Sequence, residues 1–189
     1  MQLVLSKQSD LYNQFHGSSA GPAYFYLPGN KDVYAAYYTS MYLVQDTAEA
    51  VLSHMQAGFN ADPMKAYLEF WGVMQAIIIQ QDAVDQLHNS IIGSKPSTKS
   101  LPNWQALRDK RNLCAGHPAA RTIGVPGIQR AFMGRNFGSY NRIQYELWDS
   151  VMNNPSHPTF NLHGLIAGYD NEASVLMDAA LVFMRAKWP

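Results

Sequence analysis

Residues 108 to 118 of this 189-residue chain read RDKRNLCAGHP, and they hold a fixed cation and an imidazole six residues apart. The Arg111 guanidinium cannot lose its proton, so it must meet a carboxylate, a bound anion or a second subunit that presents one. An imidazole such as that of His117 is the side chain best suited to take or give a proton at physiological pH. The spacing predicts the last turns of a helix. At 100° per residue Trp104, Leu107, Cys114 and Ala115 form one stripe, and Arg111 falls in its middle. Gly116 favours a helix end, and Pro118 pushes His117 out of the helical region into the exit loop, where it can fold back towards Arg111. A cation beside an imidazole is a phosphate-handling pair.

The charges around this pair are unevenly distributed. The chain is neutral overall, which argues against a general nucleic-acid binder, yet no Asp or Glu occurs from Lys110 to Tyr145. That span carries Lys110, Arg111, Arg121, Arg130, Arg135 and Arg142 as well as His117. An anion site needs such a surface, to which Arg108, Lys110 and Arg121 are candidate contributors. The plainer reading is that these cations are solvated or pair with acidic helices. Asp82 and Asp85, which share a face with Ile78, are the acids placed to pair with Arg111. No His or Cys apart from His88 completes a ligand set with them, so neither a metal centre nor a cofactor is expected.

The elements that must position these residues are mostly helical. With 47% hydrophobic residues the chain can bury a substantial core. Ser6 to His16 fits a short helix, and residues 18 to 28 read as loop or edge strand. From Asp32 to about Gln56, apolar residues recur at spacings of three and four, with Tyr34, Tyr37, Tyr38, Met41 and Tyr42 as a core stripe. Asp62 and Pro63 open a second helix that runs to Ile92 through Leu68 and Trp71, about 45 Å at the standard rise. Residues 93 to 100 read as a flexible connector, and Pro102 or Asn103 opens the motif helix. Residues 118 to 139 read as a long loop and 140 to 148 as a strand, with Val125 or the N-terminal aromatics as its partner. A last helix runs to Lys187, packing Leu165, Val175, Leu176 and Val182.

The fold predicted is all-α: an up-and-down bundle of about four long helices with a small β element at about 140–148 before the last. One domain spans 1–189, with residues 1–30 as an N-terminal extension and 119–160 as an insertion. No apolar run is long enough to span a membrane. The N-terminal stretch has no secretory pattern, and the single Cys114 fits a reducing cytoplasm. A Cys114–His117 nucleophile is conceivable, but a small buried residue is the stronger reading. His16, His54, His88, His157 and His163 share no spacing and read as surface or packing residues.

With these residues in place the sequence resembles the HEPN superfamily, all-helical domains that carry an Arg, a polar residue and then a His. Arg111, Asn112 and His117 match those places, and QQDAVDQL with LRDKRNLCAGHP looks like a bacterial branch of that superfamily. The similarity covers about residues 33 to 118, and the last helix by architecture only. The resemblance implies a metal-independent endoribonuclease, often a toxin or phage-defence component with an antitoxin-type partner. It also implies a homodimer whose two motifs meet at the interface. Other members are non-catalytic modules that bind nucleotides, RNA or proteins. Under the catalytic reading His117 is the general base for the 2′-hydroxyl, Arg111 stabilises the phosphate's extra charge, and Asn112 orients it.

Overall fold

The computed structural model describes residues 1–122 and 127–188, and six α-helices account for most of them. These are α1 (Gln2–Gly17), α2 (Ala20–Phe25), α3 (Lys31–Ala57), α4 (Pro63–Ile92), α5 (Pro102–Arg111) and α6 (Leu162–Lys187). Among the described residues seven short strands lie between α5 and α6: β1 (Arg121–Thr122), β2 (Ile128–Phe132), β3 (Gly138–Ser139), β4 (Arg142–Gln144), β5 (Glu146–Asp149), β6 (Asn154–Ser156) and β7 (Thr159–Phe160). The fold is therefore mostly helical, with antiparallel β structure before the last helix. Among the described residues no helix is long and apolar enough to cross a membrane.

Local chemistry sets the boundaries of α4. The Asp62 carboxylate accepts hydrogen bonds from the Met64 and Lys65 amides at 2.9 and 3.1 Å, meeting two of the donors that a helix start leaves unpaired. Pro63 follows at the first position, and Gly93 ends the helix at φ +85°. Phe70, Met74, Ile77 and Leu87 of α4 are sealed in the core, where each contributes about 1.5–3 kcal/mol by burial. Helix α3 packs along α4, and α5 and α6 cover its other sides.

The N-terminal residues join this core. Val4 and Leu11 of α1 are fully buried, and α1 packs mainly on α6. The buried Asp170 carboxylate of α6 accepts the Leu3 and Val4 amides at 3.1 and 3.0 Å, and so caps the first turn of α1. Residues 20–25, expected as loop or edge strand, form the short helix α2. Its Phe25 inserts among Phe15, Tyr34, Tyr37 and Trp188, and this aromatic burial outweighs the helix-breaking Gly21 and Pro22.

Two other expectations give way. The long loop at 118–139 contains β1, β2 and β3, and the strand at 140–148 is two strands in different sheets. Strand β4 lies between β3 and β7, whereas β5 lies between β2 and β6 in a four-stranded sheet. The chain changes sheets at Tyr145. Ile143 and Tyr145 still face inward as their alternation requires. The tight approach of β3 to β4 depends on Gly138, which sits at φ +108° with the Arg142 carbonyl where a Cβ would go. Val125, a suggested strand partner, lies outside the described residues. In α6 the core face is Leu162, Ile166, Tyr169, Ala173, Met177 and Leu181, so Val175 and Val182 point to solvent.

Candidate functional site

Helix α5 holds the motif in place from both ends. At its start, the Glu172 carboxylate of α6 accepts the Asn103 and Trp104 amides at 2.9 and 2.7 Å. Trp104 and Leu107 are buried beneath it and fix its rotation. At its end the α-helix stops at Arg111 and continues as a five-residue π-helical turn, Asn112–Gly116. The His117 amide closes that turn on the Asn112 carbonyl at 2.7 Å. Such turns recur at functional sites because the extra residue re-aims the side chains around it. Here it buries Leu113 and Cys114 and leaves Arg111 half-exposed at the rim of the stripe, not sealed within it.

Arg111 pairs with neither Asp82 nor Asp85. Its Nε and Nη2 donate to the Gln75 Oε1 of α4 at 3.3 and 2.9 Å, and its Nη1 donates to the Asn112 Oδ1 at 3.1 Å. Both acceptors are neutral amides, so the guanidinium is held in position with its charge uncompensated. Three of its five N–H donors are used, and two remain for a ligand. Its head lies against Gly116, where a Cβ would stand 2.8 Å from Nη1. His117 follows directly, exposed, with no hydrogen bond or ion pair to its ring among the described residues.

Of the acids expected at Arg111, Asp82 forms an ion pair with Arg108 instead, one turn earlier. Asp85 is half-buried, and its Oδ1 is sealed without a hydrogen-bond partner among the described residues. Burial pushes the Asp85 carboxyl above its usual range, and the Arg108 cation opposes this in part. The neighbouring Tyr169 hydroxyl is fully buried, and burial holds it protonated. Helix geometry explains the exchange of arginines. The 108 position faces the C-terminal half of α4, whereas 111 faces Gln75, two turns nearer its start.

Of the acid-free span, Arg121 alone forms a carboxylate ion pair among the described residues, with Asp109 at 3.0 Å. Lys110 donates to the Tyr145 hydroxyl at 3.1 Å and sits 5.3 Å from the Tyr145 and Phe160 rings, where cation–π attraction holds it. Arg130 lies 4.8 Å over Trp148. Strand β2 runs beside the exit loop, with the Ala131 amide donating to the Pro118 carbonyl at 2.9 Å.

Cys114 is no nucleophile at neutral pH. Burial pushes its thiol up to about 12, far from the thiolate that attack requires. No group of three or more His, Cys, Asp or Glu side chains is placed to hold a metal ion among the described residues.

Sequence reasoning missed one cluster. His54 of α3 places Nδ1 2.7 Å from the Tyr140 hydroxyl and Nε2 3.4 Å from the Glu69 Oε2 of α4. Phe59 stacks on Tyr140 at 4.7 Å and 13°, and burial raises the phenol well above its usual range. The protonated Tyr140 ties the β region to the α3–α4 pair. Positions 54, 69 and 140 have no mutual spacing, so only the fold brings them together.

No protein-family model matches the chain, nor does any curated protein or solved structure.

Proposed function

We propose that the chain is a HEPN-like, metal-independent endoribonuclease that acts as a homodimer, with Arg111 and His117 as its catalytic pair. One observation carries this reading. The Arg111 guanidinium is held by two amide oxygens and, among the described residues, by no carboxylate, and it lies against Gly116, the residue before the exposed His117. It is fixed in place, keeps its charge and has N–H donors to spare for an anion.

The chemistry follows from that placement. Neutral His117 takes the proton of a 2′-hydroxyl, and the freed oxygen attacks the adjacent phosphorus. The two spare N–H groups of Arg111 bind the non-bridging oxygens and stabilise the charge that builds on them. The P–O5′ bond breaks, leaving a 2′,3′-cyclic phosphate, and the departing oxygen takes a proton from the second subunit or from water. Asn112 keeps the guanidinium aimed. A cytoplasmic location belongs to the same proposal.

The homodimer has separate support. Leu68 and Trp71 of α4, expected in the core, are 68% and 40% exposed, and they share a stripe with Met64 and Gln75. With Phe132 of β2, at 62% exposure, they line one open groove. An apolar patch leading to the residue that holds Arg111 is where a second motif, or an antitoxin-type protein, would meet it.

The test is cleavage of single-stranded RNA in EDTA, with product ends analysed. Wild-type protein should leave 2′,3′-cyclic phosphate and 5′-hydroxyl ends. His117→Ala should slow cleavage about 10²–10⁴-fold with an unchanged melting temperature. A second reading, a non-catalytic anion-binding module, is favoured because no group among the described residues fixes the His117 tautomer. It predicts RNA binding that Arg111→Ala removes and His117→Ala spares, with no cleavage. Cleavage unchanged in His117→Ala would overturn the catalytic assignment.

A further inference from the structure

A cavity of about 240 Å³ lies between α1 and α3, remote in sequence from the motif and independent of its proposed role. Tyr12, Tyr34, Tyr37, Tyr38 and Tyr42 line it, together with Phe15, His16 and the side-chain amides of Gln8 and Gln45. The stripe of tyrosines in α3 is thus only partly core. Tyr37 is buried, whereas Tyr38 and Tyr42 are each about half exposed, at 50% and 52%, and Tyr12 of α1 matches them at 52%. Large rings left this open at a concave site, unpaired by Lys or Arg among the described residues lining it, are not explained by packing. The cation–π contacts of the chain lie elsewhere, at Lys110 and Arg130.

The ring geometry narrows the ligand. Tyr38 and Tyr42 have centroids 4.8 Å apart at 60°, Tyr34 and Tyr38 are 6.0 Å apart at 41°, and Tyr12 sits 4.2 Å from His16 at 48°. Each is a pair of neighbours one turn apart on the same helix, and none is parallel, so no two of them offer the plates between which a planar base slides. The volume also falls below the roughly 300–1,000 Å³ of sites that hold drug-sized ligands. A small space lined by electron-rich rings from two helices suits a rounded cation. Burial, then the nearby Tyr34 and Tyr12 hydroxyls, holds Tyr37 protonated far above neutral pH, and the Tyr38–Tyr42 hydroxyl contact at 3.3 Å does the same for Tyr42.

We propose that this tyrosine-lined cavity is an aromatic cage for a quaternary or methylated ammonium group. Such a group comes either from a free choline-type molecule or from a trimethyl-lysine side chain, and the cage recognises the shared headgroup. The faces of Tyr12, Tyr38 and Tyr42 carry the attraction, and Gln45 supplies a polar edge.

The experiment is calorimetric titration of the full chain with choline chloride, with 3,3-dimethylbutanol as its neutral isostere and with a peptide bearing trimethyl-lysine. Ring signals of the tyrosines are followed by NMR in parallel. Choline or the peptide should bind with saturation and shift those signals, the tighter of the two naming the source. The isostere should bind at least about fivefold more weakly, since it lacks the charge. Tyr38→Ala and Tyr42→Ala should each weaken binding by about threefold or more, while Tyr42→Phe, which keeps the ring, should stay within about twofold. Both positions are half exposed, so the variants should keep the wild-type melting temperature. Equal binding of the neutral isostere, loss of binding in Tyr42→Phe, or no saturable binding by either cation in the millimolar range would overturn the proposal.

Discussion

Gly116→Ala separates the positioning of Arg111 from the stability of the fold. An alanine methyl there would stand 2.8 Å from Nη1 and 3.3 Å from Cζ, and ordinary contact begins near 3.4 Å. The guanidinium must therefore retreat by about 0.6 Å, and it is the mobile end of its side chain that moves. The retreat strains the 3.1 Å bond to Asn112 Oδ1, one of the charge-assisted bonds worth about 1.5–3 kcal/mol. Misplacement approaching 1 Å in a catalytic group costs up to about 10²-fold, so RNA cleavage should fall by roughly 10- to 10²-fold. Stability should move little, because a second effect offsets the strained bond. Alanine is favoured over glycine in helical backbone by about 0.5–1 kcal/mol, and no backbone atom outside the turn blocks it. The assay pairs initial cleavage rates with thermal melting, and adds titration with inorganic phosphate to read the anion site without chemistry. A variant that melts no lower yet cleaves and binds phosphate as wild type does would refute the idea that Arg111 acts from the position described here.

Asp85→Asn should change how stability depends on pH. The native Asp85 carboxyl titrates above its unfolded value of 3.8, so its contribution is fully present below that value and is lost as pH rises through the native one. The asparagine variant should therefore gain melting temperature over wild type at pH 7, and the gain should shrink towards pH 4. A constant difference across that range would contradict the assignment. Cys114, 1% exposed and shifted up to about 12, should resist alkylation in the native protein at pH 8 and react fully after unfolding, as mass spectrometry would show; rapid native labelling would refute its burial. Asp170→Ala leaves the Leu3 and Val4 amides without their acceptor and should cost about 2–4 kcal/mol in chemical denaturation. A loss below about 0.5 kcal/mol would mean that water replaces the cap at no penalty.

What the sequence made legible was whatever is decided within a few residues. Asp62 and Pro63 mark the start of α4 because cap chemistry is local, and Pro102 marks α5 for the same reason. Periodicity located α4 and α6 but misjudged part of their faces. Val175, Val182, Leu68 and Trp71 are as apolar as their buried neighbours, and only packing decides which side each one meets. The strand at 140–148 was visible as alternation, whereas the change of sheet at Tyr145 depends on partners up to 20 residues away. Around the motif, the end of the helix and the exit of His117 were legible from Gly116 and Pro118. The π-helical turn was not, since nothing in NLCAG marks the extra residue. Of the two acids expected at Arg111, Asp82 pairs instead with Arg108, one helical turn earlier, and Asp85 forms no ion pair among the described residues. Gln75 gave no signal at all, because a neutral amide beside a cation stands out only when the carboxylate fails to appear.

The capping of α1 by Asp170 also sets an order of events during synthesis. The carboxylate lies 167 positions after the amide it accepts from Leu3, and at about 5–20 residues per second the ribosome needs roughly 10–30 s to reach it. Through that interval α3 can shield only part of α1, and the side that carries Val4 and Leu11 has no α6 to lie against. The α3–α4 hairpin, built from neighbouring segments, closes early. Helix α1 is thus made before α6 yet docks only after it, and a nascent chain stalled before residue 162 presents α1 as a greasy, uncapped handle to whatever binds exposed apolar segments.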